Sequence, residues 1–288
     1  MSTSSNGTNY FRWLDMDQAL VRTTWNVGSA GFSRWVFYSD RDKQISDALC
    51  STTFCSNPAH ACVQYLNSTQ TLPSVTYALD AAIAGLPQPI VTCLDSSTLY
   101  LRGNVSNPGM AYELLGRVTV EGSQAKAVCS PVGSNNATIT VTGATGSRIT
   151  WVGDTEYDMD AGDSAHGYSF KGQLPHDQLV SYLGSASSSS FNSLLSAHVQ
   201  SYNSFLGGFQ LNLGQTPDLN TPTDQLKAAY KTDTGNPYVE WLLFNFGRYL
   251  LTGSAPGALP ANLQGKWGRD LSNPWGAGGS KIDLSVVT

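Results

Sequence analysis

The hydrophobic pattern of this chain changes period once, and that change limits what it can fold into. Up to about residue 170 the apolar residues fall in short runs that alternate or are rich in β-branched and aromatic side chains: Arg34 to Ser39, Ser74 to Leu79, Thr98 to Arg102, Glu113 to Val120, Thr138 to Val141 and Arg148 to Val152. Clusters of Gly, Pro, Asn and Ser separate them. Many short strands at such spacing predict an antiparallel β-sandwich. No alternation of strand and helix signals appears, so a parallel nucleotide-binding sheet is disfavoured, and no glycine-rich phosphate loop stands between a strand and a helix.

Beyond that point the period lengthens. SSSSFNSLLSAHVQSYNSFLGG opens with serines suited to cap a helix. Phe191, Leu194, Leu195, His198, Tyr202, Phe205 and Leu206 then form one helical stripe, ended by Gly207-Gly208. His198 lies on that stripe. It reads as a core histidine with one hydrogen bond, the sharper alternative being a ligand or proton shuttle. After QTPDLNTPTDQ a second helix is expected with Thr221 as its cap and Pro222 in its first turn. In NPYVEWLLFNFGRYLLTGSAPG, Val239, Leu242, Leu243, Phe246 and Leu250 share a face, while Trp241, Phe244 and Tyr249 make the other faces apolar. Such a helix belongs buried inside a larger helical assembly. The expected organisation is a mainly β antiparallel sandwich over residues 1–172, a helical linker over 173–216 and the truncated beginning of an α/α toroid over 217–288.

Composition narrows the partners. Charged residues make up 13% of the 288 residues, about half the usual share, and the formal net charge is -5 with no basic run. Nucleic acid and anionic membrane surfaces are therefore not expected partners. No apolar run reaches the roughly 20 residues that a bilayer crossing needs. The opening MSTSSNGTNYFRWLDMDQAL lacks the basic-then-apolar order of a signal peptide. Four N-x-S/T acceptors, at Asn6, Asn67, Asn104 and Asn136, are candidate glycosylation sites.

Five cysteines are present: Cys50, Cys55, Cys62, Cys93 and Cys129. One or two disulfides of a secreted protein would leave a thiol over. Cys55, His60 and Cys62 sit close together, but no second ligand pair follows at zinc spacing, so a surface disulfide or buried thiols are expected there and no metal. In GDTEYDMDAGDS, the acids Asp154, Glu156, Asp158, Asp160 and Asp163 miss the calcium-loop template and read as a solvated loop at the end of the sandwich. No cofactor motif occurs, and no G-x-S-x-G elbow supports serine chemistry.

The run LLFNFGRYLLTGSAPGALPANLQGKWGRDLSNPWG, from Leu242 onward, resembles the start of the catalytic helical domain of glycoside hydrolase family 95, the α-L-fucosidases, in its fungal-type form. A buried helix there leads to a loop of the form LPANLQG-x-W. This chain keeps Leu259, Pro260, Ala261, Asn262, Leu263, Gln264, Gly265, Trp267, Pro274 and Trp275, with Asn273 where the family has the first of two prolines. YFRWLDMDQALVRTTWNVGSAGFSRWVFYSD is similar to a family segment, matched by Arg34, Phe37, Ser39 and Asp40, with Trp35 where the family has Glu. SSFNSLLSAHVQSYNSFLGGFQLNLG resembles the linker helix. The resemblance covers nearly all of Asn9 to Trp275.

The family resemblance implies removal of terminal α-linked L-fucose, often 1,2-linked to galactose, with inversion. Inversion places a general acid and a water-activating base roughly 6.5–9.5 Å apart. In the family, paired asparagines with an Asp position the water, and a Glu deeper in the helical domain is the acid. Neither region has a counterpart here. After Trp275 this chain has no His and no Asn, and Asp283 is its only acid. The family's opening P-x-GNG-x-LGA and LNEDT-x-W segments are also missing. The expectation is a fragment incomplete at both ends, with no catalytic residue and no activity of its own. Asn262 and Gln264 remain candidates to bind sugar hydroxyls, and Trp267 and Trp275 to stack on a sugar face, against the alternative that this loop only packs. The implied partner is a fucosylated oligosaccharide, and the implied location is extracellular. Two other readings stay open: a non-catalytic glycan-binding sandwich, and a parent enzyme acting on α-L-galactosides.

Overall fold

The computed structural model describes residues 2–3, 7–27, 49–79 and 86–254. Two antiparallel sheets form the framework of the fold. The larger has eight strands in the order β2(Gly7–Asp15), β3(Leu20–Val27), β4(Leu49–Ser56), β5(Ala61–Asn67), β12(Gly146–Thr155), β9(Ala111–Glu121), β8(Thr98–Asn104), β7(Ile90–Asp95). The smaller has four, in the order β1(Ser2–Thr3), β6(Val75–Ala78), β11(Asn136–Thr142), β10(Lys126–Val132). The sandwich expected from the short alternating runs is what forms. The run at Arg34 to Ser39 lies outside the described residues.

Alternation decides which side chains fill the space between the sheets. In β11 the pattern NATITVT turns Ala137, Ile139 and Val141 inward and leaves the residues between them at least partly exposed. They meet Leu66, Leu99, Leu101, Leu114 and Ile149 of the larger sheet. Tyr77 of β6 crosses this core and donates its hydroxyl proton to Ser147 Oγ of β12 at 2.9 Å. Burial pushes that phenol up to about 12, against the smaller lowering effect of the bond to Ser147. At one margin Cys93 of β7 and Cys129 of β10 form a disulfide, tying one sheet to the other. Cys55 and Cys62 are register partners in β4 and β5 and form a second disulfide. Cys50 is the remaining thiol, and burial raises its pKa. His60 stacks on Tyr182 with ring centroids 4.5 Å apart, so the Cys55–His60–Cys62 group is a disulfide and a packed ring.

The central strands of the larger sheet are buried on both faces, because two helices cover its outer side. The first, α1(His176–Ser188), lies across β9, β12 and β5. The sequence pattern did not predict it: HDQLVSYLGSASS is rich in serine and contains a glycine, both weak helix formers. Packing overrides propensity, since Leu179, Leu183 and Ala186 bury against Ala61, Leu115 and Val152.

Two buried ionic side chains hold α1 at its ends. At its N-terminus Glu113 of β9 is 1% exposed and accepts bonds from Tyr100 Oη at 2.8 Å and His176 Nδ1 at 2.9 Å. At its C-terminus Arg148 of β12 donates to the carbonyls of Ser189 and Ser187, both at 2.7 Å. Arg148 pairs in register with Thr119, six residues along β9 from Glu113 (119 − 113), or about 20 Å of strand. The 13 residues of α1 span about the same length. The sheet thus sets a carboxylate at the positive end of the helix dipole and a guanidinium at its negative end.

The second helix, α2(Phe191–Leu206), forms where the serine-capped stripe predicts it. Ser190 Oγ accepts from Ser193 N at 3.1 Å as its cap, and Leu194, His198 and Tyr202 are buried. Phe191 lies against Tyr65 and Phe54, and the His198 ring stacks 4.8 Å from Phe54. Both polar tips reach the turn between β2 and β3. Tyr202 Oη donates to Met16 O at 2.8 Å, and His198 Nε2 faces Gln18 O at 3.0 Å and Ala19 O at 3.2 Å. His198 is a core residue, bonded to more than one backbone carbonyl.

Burial lowers the pKa of His198 from 6.5, against the opposing pull of those carbonyls. Its folded pKa is below its unfolded one, so protonation favours the unfolded chain. The contribution is complete above pH 6.5 and is lost as pH falls from there through the folded value. A His198→Gln variant, whose amide also donates, should lack this part of the pH dependence. Urea unfolding midpoints of both proteins between pH 7.5 and pH 5 measure it, and parallel profiles would contradict it.

Two further helices follow, α3(Thr223–Ala229) and α4(Pro237–Ser254). Thr221 does not cap α3. Pro222 occupies the cap position with no side-chain bond, and Asp218 Oδ1 binds the Thr221 amide at 3.0 Å.

Candidate functional site

The residues read as sugar-binding, Asn262, Gln264, Trp267 and Trp275, lie outside the described residues, as does Asn6. What is described is the helix that leads into them in the sequence. Asn236 starts α4: its Oδ1 accepts from the amides of Tyr238 at 3.0 Å and Val239 at 3.1 Å. Glu240 Oε1 accepts from Asn236 N at 3.1 Å, and Pro237 fills the first helical position, where no amide is needed.

One side of α4 is anchored. Trp241 Nε1 donates to Leu211 O at 3.1 Å. Arg248 donates to Leu206 O, the last residue of α2, at 2.7 Å, and its guanidinium lies 5.5 Å from the Phe209 ring centroid and 5.8 Å from that of Phe244. The other side is open. Leu243 is 70% exposed and Leu251 57%, with Phe246 also exposed. The composition of the helix suits burial within a larger helical assembly, and in this chain part of that apolar surface stands exposed. Its covered side is the one facing α2 and the segment after it.

Three glycosylation candidates are described, and all are exposed. Asn67 ends β5, Asn104 ends β8, and Asn136 begins β11. The Asn104 amide also donates to Gly109 O at 3.3 Å.

The acidic segment after β12 is a folded loop. Glu156 accepts from Ala111 N at 2.9 Å and pairs with Lys171 at 3.0 Å. Desolvation raises its pKa, but these bonds and Lys171 together outweigh that and hold it below the usual carboxylate range. Asp163 caps the short 3-10 helix Ser164–His166 and meets His166 Nδ1 at 2.7 Å. Bonds from His166 lower the pKa of Asp163. Among the described residues no group of three or more His, Cys, Asp or Glu could hold a metal ion. Tyr157, Tyr168 and Phe170 of this loop are exposed, and the last two hold left-handed backbone at φ 55° and 53°. A bulky side chain there costs about 1–2 kcal/mol. Sequence reasoning passed over these aromatics because the neighbouring acids dominate the segment.

Comparison with known proteins ties the two parts of the chain together. The glycosyl hydrolase family 65 N-terminal domain matches residues 1–160, more than half of the chain. The chain belongs to that family. The glycosyl hydrolase family 95 catalytic domain matches residues 190–281, which contain the whole run from Leu242 to Trp275 that resembles it. A relative named "Probable alpha-fucosidase A" from Aspergillus niger is 31% identical across 96% of this chain and 32% of its own length. One of the same name from Aspergillus oryzae is 31% identical across 93% of this chain and 35% of its own. "Alpha-L-fucosidase 2" of Arabidopsis thaliana is 35% identical over 39% of this chain and 14% of its own length. The chain thus spans about a third of the length of the two fungal relatives. A solved "Putative kojibiose phosphorylase from human microbiome" overlays 70% of this chain and 25% of its own at 12% identity and a TM-score of 0.45, too slight a likeness to argue from.

Proposed function

We propose that this chain is the sandwich, the linker and the start of the catalytic domain of an inverting α-L-fucosidase, which removes terminal α-1,2-linked L-fucose from extracellular glycans. One observation carries the reading: a family 65 N-terminal domain precedes a family 95 catalytic segment, in a chain that aligns over 96% of its length with a fungal protein named as an alpha-fucosidase. The sandwich spans 1–172, the linker 173–216 and the start of the toroid 217–288. Asn262 and Gln264 bind sugar hydroxyls, and Trp267 and Trp275 stack on the ring. Two disulfides and three exposed acceptor asparagines support an oxidising, secretory location and a glycosylated chain.

The described carboxylates support a scaffold role for this stretch. Glu113 is buried under α1, Glu156 pairs with Lys171, and Glu121 accepts from Tyr65 Oη at 2.8 Å. Each of the three is engaged by a partner within the sandwich, its loops or α1. The 288-residue chain incubated with 2′-fucosyllactose should release no fucose, as measured by enzymatic fucose detection. Turnover above the uncatalysed background would overturn the scaffold assignment.

A further inference from the structure

The loop between β12 and α1 carries an exposed aromatic shelf that neither the catalytic reading nor the packing of the sandwich uses. Tyr157 is 50% exposed and Tyr168 67%, and the Tyr157 and Phe170 rings lie parallel within 2° with centroids 6.0 Å apart. The backbone that presents them is closed on itself. Asp158 N donates to Phe170 O at 2.9 Å, Phe170 N to Ala161 O at 3.0 Å, and Tyr168 N to Asp163 O at 2.8 Å. Tyr168 and Phe170 hold left-handed backbone that bulky residues avoid, and such conformations gather where a side chain must be aimed. Gly162 leaves room beneath the shelf: a Cβ there would overlap Phe170 Cε1.

From these features we propose that Tyr157, Tyr168 and Phe170 form a binding platform for a neutral pyranose ring of a glycan. Flat, exposed rings offer apolar faces to the C–H face of a sugar. The exposed Asp158, Asp160 and Asp163 stand on the same loop as acceptors for hydroxyls. The same carboxylates disfavour sialylated or uronic sugars by like-charge repulsion. A protein partner fits less well, because a stable interface covers about 800 Å² on each side and these few rings on one loop offer a fraction of that. By strand register the loop leaves the sheet at the end where the β2–β3 turn meets α2, whose last residue anchors α4. The platform binds whether or not the protein cleaves fucose.

The test is saturation-transfer NMR and calorimetric titration of the full chain with lactose, 2′-fucosyllactose and 3′-sialyllactose. The variants are Tyr157→Ala, Tyr168→Gly and Gly162→Ala. Saturable millimolar binding of a neutral sugar is expected, at least tenfold weaker in Tyr157→Ala and Tyr168→Gly and weaker for 3′-sialyllactose. Glycine suits the backbone of Tyr168, so that variant should unfold at the same temperature as the parent or higher. Absence of saturable binding to either neutral sugar would overturn the proposal. So would equal affinity in all variants, or concentration-dependent self-association that Tyr168→Gly abolishes, since the shelf would then be a contact between copies. Fucose release is a separate measurement, and its outcome leaves this one standing or falling by itself.

Discussion

Replacing Arg148 with methionine is expected to destabilise the fold by about 3 kcal/mol, because two charge-assisted bonds vanish and their acceptors stay covered. Arg148 is 8% exposed, and its guanidinium donates to Ser187 O and Ser189 O, carbonyls at the end of α1 with no further helical partner. Methionine keeps most of the stem volume, so the loss reports the bonds rather than a cavity. Arg148→Lys should recover less than half, since an ammonium cannot span both carbonyls with a planar fork. Urea unfolding gives the magnitude. Hydrogen exchange gives the location, with the last turn of α1 losing protection first. An unchanged midpoint would show that the guanidinium contributes nothing net.

The second large effect belongs to the apolar middle of the same helix. Leu183 is 2% exposed and packs in a cluster with Leu115 and Val152, each of which has no exposed surface. Leu183→Ala should cost about 3 kcal/mol through lost burial and the cavity left behind, and Leu183→Met less than about 1.5 kcal/mol. Both Arg148 and Leu183 act by holding α1 on the sheet. The double variant Arg148→Met/Leu183→Ala should therefore lose less than the sum of the two, because once α1 detaches there is little further to lose. Strict additivity in denaturant unfolding would mean that α1 does not dock as a unit.

The strands that sequence revealed are those whose alternation is clean. β11 turns Ala137, Ile139 and Val141 inward, and β6, β8, β9 and β12 carry runs of branched residues. The strands it missed lack such contrast. β10 runs KAVCSPV, with Pro131 and no fully buried residue, and β4 runs LCSTTFCS, where Ser51 and Ser56 occupy buried positions. In β9 and β12, burial on both faces followed from the arrival of α1, which no local pattern announced. α2 was legible because its cap, stripe and terminating glycines agree. The disulfide partners required the register of β4 with β5 and the apposition of β7 to β10, which spacing cannot supply. The family motif was plain in the sequence from Leu259 to Trp275. The aromatic shelf was not, since left-handed backbone at Tyr168 and Phe170 has no signal in residue type.

The proposed activity meets its most direct test in proton NMR of 2′-fucosyllactose digested by the protein expressed from its own gene. The 288-residue chain is run in parallel. An inverting fucosidase built on this sandwich releases β-L-fucose first, which then mutarotates, while the 288-residue chain leaves the substrate intact. A folded gene product that releases no fucose, or that yields the α-anomer first, would contradict the assignment.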